Sequence, residues 1–110
     1  VLVEVPNCDD FHLGLNKFYK EFYWERAHIH YFNSKSLKTV INLGGFKGIK
    51  ITGVQRYSIE NFFHWRLKNK PQMENPTYSL SGKLNWLDES YKKYLERNLI
   101  CDTLISIANI

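Results

Sequence analysis

Proline and methionine are scarce in this chain, with three and one in 110 residues, and there are two cysteines. Cys8 and Cys101 are too few for a disulfide framework and lack the regular spacing of a zinc site. Both are expected as reduced thiols, as in an intracellular protein. No apolar run approaches the roughly 20 residues of a membrane-spanning helix. The opening VLVEVPNCDD has no basic stretch of the signal-peptide kind. A Gly-x-Ser-x-Gly elbow, a Walker-type loop and a Cys–His arrangement are all missing. His28 and His30 form a His-x-His pair without a neighbouring Cys, Asp or Glu, so no metal site is expected. Asp88 and Glu89 are adjacent on a helical stretch and point in different directions, which rules out a carboxylate dyad. The sequence therefore carries no expected catalytic residue and no expected cofactor. An initiator methionine is also missing, and the last residues, TLISIANI, are apolar to the final position. The sequence reads as one domain spanning residues 1–110, excised from a longer polypeptide.

What is present is enough for a core. Hydrophobic residues make up 44% and aromatics 15%, which argues against disorder. The net charge is only +4, but it is unevenly spread. Residues 31–70 hold Lys35, Lys38, Lys47, Lys50, Arg56, Arg66, Lys68 and Lys70 against the single acid Glu60, while both flanks are near balance. A basic middle between neutral ends suits a face that meets a polyanion.

The apolar spacing reads as helical. Phe11, Leu15, Phe18 and Phe22 form one stripe, with Asn7 or Asp9 as N-cap. Leu37, Val40 and Ile41 form a second, opened by Asn33 and closed at Gly44, where a left-handed C-cap is expected. Gly45 then lets the chain reverse so that Phe46 enters the core. Residues 47–57 are ambiguous between a short extended stretch and a single turn. Ser58 caps a helix carrying Ile59, Phe62, Phe63 and Leu67, and residues 69–80 read as a loop. Leu84, Leu87, Tyr91, Tyr94 and Leu95 form a late helical stripe, and Asp102 or Thr103 is placed to cap a last helix. Trp24, Trp65 and Trp86 fall off these stripes and are candidates for partial exposure. With no strict period-two alternation, the expected class is all-α.

The order of Leu37, Val40, Gly44, Gly45 and Phe46, followed by Leu87, Tyr91, Tyr94 and Leu95, resembles the AT-rich interaction domain (ARID) family over residues 9–100. That resemblance implies a bundle of about five to six helices with an extended helix-turn-helix over residues 58–97, in a nuclear chromatin regulator of the Jumonji or remodelling-complex kind. It implies duplex DNA as partner, bound mainly through phosphates with weak or AT-biased preference, by a monomeric domain that is not itself an enzyme. Arg66, Lys68 and Lys70 would reach phosphates. Thr77, Ser79 and Ser81 would offer donors at a helix N-terminus. Lys83 and Asn85 would touch base edges, and Lys47 and Lys50 would add phosphate contacts. The competing reading is an ARID scaffold retained as a protein-interaction module in a chromatin complex, consistent with the modest net charge.

Overall fold

A computed structural model describes residues 1–24, 31–71 and 82–110. The chain begins with strand β1 (Leu2–Pro6), followed by a 3-10 turn (Phe11–Gly14) and the helices α1 (Lys17–Trp24) and α2 (Ser34–Leu43). Strand β2 (Lys47–Val54) and helix α3 (Ile59–Lys68) come next. A second 3-10 turn (Gly82–Leu84), helix α4 (Asn85–Arg97) and strand β3 (Thr103–Asn109) complete the order. The three strands form one sheet in the order β1–β3–β2, so the all-α expectation, and with it the all-helical ARID-like bundle, is overturned. The fold is mixed α/β.

Both outer strands run antiparallel to β3, which makes β1 and β2 parallel to each other. The middle strand is therefore the last in sequence. Val3 and Val5 stand opposite Ser106 and Leu104 on one side, and Ile51 and Gly53 stand opposite the same two residues on the other. Directly paired residues share a face, and this face is the buried one. It meets Leu37 and Ile41 of α2 and Leu95 of α4, which form the main core with Cys101, Leu104 and Ala108. The opposite face carries Leu2, Glu4, Lys50, Thr52 and Ile107, all exposed.

Several local readings hold. Asn33 caps α2 in a reciprocal box with Ser36, and the Ser58 side chain accepts from the Asn61 amide at the start of α3. Phe46 packs against the core. Others need correction. Gly44 has an ordinary φ of −73° and the left-handed position is Gly45, at φ 88°. The ambiguous stretch after Phe46 is a strand, and Asp102 precedes another strand where a helix was expected.

The first helical stripe is displaced by one position. Leu15 and Phe18 are about half exposed, while His12, Asn16, Tyr19 and Tyr23 are buried. Hydrogen bonding explains the shift. Asn16 donates to the Trp65 carbonyl at 2.9 Å and accepts from the Tyr19 amide at 3.0 Å, so a polar side chain fastens α1 to α3. Trp65 is buried with Tyr19 and Tyr23 in a second, aromatic cluster, whereas Trp86 is exposed.

Candidate functional site

The sheet's topology gathers three segments at one end. β1 and β2 present their carboxyl ends there, through Pro6–Asn7 and through Gln55–Arg56–Tyr57, and β3 begins beside them at Thr103. Asn7 is fully buried and ties this end together. Its Nδ2 donates to the carbonyls of Leu99 (2.9 Å) and Cys101 (2.8 Å), and its Oδ1 accepts from the Asp9 amide. The Asp102 carboxylate accepts the backbone N–H groups of Arg56 and Tyr57, each at 3.0 Å, and the Thr103 hydroxyl at 2.8 Å. Gln55 closes the ring by accepting the Asp102 amide and donating to the Tyr57 carbonyl. The two strand ends are thereby locked to the start of β3 by polar side chains, as buried polar groups require.

A cleft of about 470 Å³ opens at this end, lined by Glu4, Val5, Pro6, Tyr23, Arg56, Tyr57, Asp102 and Thr103. Tyr23 donates its hydroxyl to the Asn7 carbonyl at 2.7 Å, which turns its ring into the wall. Arg56 donates from Nε (3.0 Å) and Nη2 (2.5 Å) to a single oxygen of Glu4. Burial raises the pKa of the Asp102 carboxyl, and the amides it accepts from oppose that rise.

Beside the cleft lies a second buried carboxylate. Asp10 accepts the His12 amide at 2.9 Å and the Tyr19 hydroxyl at 2.5 Å. Burial pushes its pKa up to about 6 and pushes that of His12, stacked 4.1 Å from the Tyr19 ring, down to about 4. The His12 Nε2 is buried with no hydrogen-bond partner. For Asp10 the folded pKa exceeds the ordinary carboxylate value. Folding therefore takes up a proton, and the Asp10 contribution to stability grows as pH falls from about 7 towards 4. His12, with its lowered pKa, acts in the opposite direction over the same range. Comparing the protein with Asp10→Asn isolates the carboxyl. The original should gain on the order of 2–3 kcal/mol relative to the variant between those limits. Urea melts at the two pH values measure this, and a constant difference would contradict the burial argument.

The residues expected to contact DNA are not assembled into one site by these contacts. Arg66 is engaged, donating Nη1 to the Leu15 carbonyl at 2.7 Å. Lys68, Lys70, Lys83 and Asn85 are exposed on α3, just after it, and around the start of α4. Thr77, Ser79 and Ser81 lie outside the described residues, as do His28 and His30. Lys47 and Lys50 belong to strand β2. Among the described residues, no three His, Cys, Asp or Glu side chains come together as a metal set, and no helix is long and apolar enough to cross a membrane. Cys8 and Cys101 are free thiols.

The lining of the cleft was not singled out from sequence. Arg56 counted only towards the basic middle and Asp102 only as a helix cap. The usable signal was the pair of side-chain acceptors, Asn7 and Asp102, each next to an apolar stretch whose terminal amides need partners. Searches of protein-family models, curated proteins and solved structures find no match to this chain.

Proposed function

We propose that the chain is the closing unit of a doubly wound α/β domain that transfers a methyl group from S-adenosylmethionine to a small acceptor. The observation that carries this reading is the strand order: two parallel strands, β1 and β2, with the antiparallel β3 inserted between them. Parallel strands of one sheet that are joined by a helical crossover, as β1 and β2 are through α1 and α2, belong to α/β architectures, which often carry one antiparallel strand. Insertion of that strand between the last two parallel ones is how the sheets of S-adenosylmethionine-dependent methyltransferases end. The step from topology to activity is an analogy at the level of fold.

Two further features support the reading. The cleft sits at the carboxyl ends of the parallel strands, the side on which open α/β sheets bind ligands. In the doubly wound sheet proposed here both faces would be covered by helices. Here Leu2 is 64% and Ile107 53% exposed on the face opposite the core. A larger domain would cover that face and add strands beyond β1, whose other edge pairs with no strand among the described residues. This proposal sets aside the non-enzymatic expectation.

Calorimetric titration of S-adenosylmethionine into the polypeptide encoded by the full reading frame is the test. Saturable binding, with transfer of labelled methyl to an acceptor, is the expected result. No heat from well-folded protein would remove the reading. Duplex DNA is the second reading, favoured by the exposed Lys68, Lys70 and Lys83 flanking residues 72–81. A labelled duplex followed across a salt series separates the two. Steep loss of binding with salt, weakened by Lys68→Glu plus Lys70→Glu, would favour DNA.

A further inference from the structure

We propose that the cleft between Glu4 and Arg56 binds an amino-acid-type zwitterion, with the ligand's carboxylate on Arg56 and its ammonium on Glu4. This deepens the transfer reading, on which only the ligand's role as acceptor rests. The argument starts from the ion pair itself. Both Arg56 donors converge on Glu4 Oε1, so Oε2 of Glu4 and Nη1 of Arg56 lie outside the clamp. The Arg56 and Glu4 side chains keep 51% and 46% of their surface exposed, so water screens the pair and a ligand can replace it at little cost. A molecule carrying both signs on neighbouring atoms satisfies both partners at once and leaves neither charge unpaired.

The rest of the lining narrows the ligand class. Asp102 spends its carboxylate on backbone amides and the Thr103 hydroxyl, so it contributes negative potential more than a free acceptor. Two carboxylates and one guanidinium leave the lining net negative, which works against phosphates and dicarboxylates. A simple amine would bind Glu4 but strand Arg56, and a simple carboxylate would do the reverse. Val5, Pro6 and the rings of Tyr23 and Tyr57 supply apolar wall for a side chain beyond the charged end.

The test is a titration of the polypeptide encoded by the full reading frame with L-phenylalanine, phenethylamine and 3-phenylpropanoate, followed by amide NMR shifts at Arg56, Tyr57 and Thr103. L-Phenylalanine should bind about tenfold or more tightly than either half-molecule, and Glu4→Gln and Arg56→Gln should each weaken it about tenfold. The same spectra report whether each variant is folded. Equal binding of 3-phenylpropanoate, strengthened by Glu4→Gln, would make this an anion site and overturn the proposal. Equal binding of phenethylamine, or no shifts at these amides, would overturn it too. Loss of S-adenosylmethionine binding with L-phenylalanine still bound would remove the transfer role and leave the site.

Discussion

Gly53→Ala is expected to lower stability by about 3 kcal/mol, near the top of the usual range for overpacking. A Cβ at this position would lie 2.6 Å from Cys101 Sγ, 2.8 Å from the Glu96 carbonyl oxygen and 3.3 Å from the Glu96 Cα. Two of the three obstacles are backbone atoms at the end of α4, so the helix or the strand must move. The φ at Gly53 is not in the left-handed region, so the effect is steric alone. A fall in melting temperature of roughly 13 °C would accompany it. Combining Gly53→Ala with Cys101→Ala removes the thiol but not the carbonyl. The double variant should therefore be more stable than the sum of the single losses allows, with part of the deficit remaining. A Gly53→Ala protein melting within about 2 °C of the original would mean that α4 docks more loosely than described.

Asn7→Asp is the second large effect, and it changes almost no volume. The substitution replaces an amide that donates to Leu99 and Cys101 with an oxygen facing two carbonyl oxygens at 2.9 and 2.8 Å. At neutral pH the buried carboxylate loses two hydrogen bonds and gains repulsion, for an expected loss of about 3–5 kcal/mol. Burial and the facing carbonyls would raise the new carboxyl's pKa above its unfolded value. The folded variant then binds more protons than the unfolded one, and its deficit shrinks as pH falls. Denaturant midpoints near neutrality and near pH 4.5 measure both parts. A loss below about 1 kcal/mol at neutral pH would show that Asn7 does not hold the strand ends together.

These two positions also show what the sequence could convey. The caps at Asn33 and Ser58 and the buried pair Leu37 and Ile41 were legible because their signals are local. The strands were not. The inward residues of β3 are Leu104, Ser106 and Ala108, so a hydroxyl and a methyl occupy two of three core positions and blur the alternation. β2 contains Gly48 and Gly53, which read as breakers, yet Gly53 is small because α4 and Cys101 approach it closely. The α1 stripe slipped because His12 and Asn16, polar residues, take buried places. The cleft was hidden for another reason. Glu4, Arg56 and Asp102 are far apart in sequence, and only the β1–β3–β2 order makes them neighbours.

That order also dictates when the protein can acquire its shape. Leu2 pairs with Ile107, and β1 and β2 touch no common partner until β3 arrives between them. A ribosome making this chain would have released neither outer strand into a finished sheet while residues 103–109 were still in its exit tunnel. Until then the edges of β1 and β2 that pair with β3 stay open, while the helical pieces can settle locally. Sheet formation is thus deferred until residues 103–109 have emerged, and it depends on closing the long loop between Leu2 and Ile107, which makes it slow. The same geometry makes β3 decisive for this sheet. A peptide matching β3 that occupied the slot between β1 and β2 first would trap the newborn chain in a paired but incomplete form.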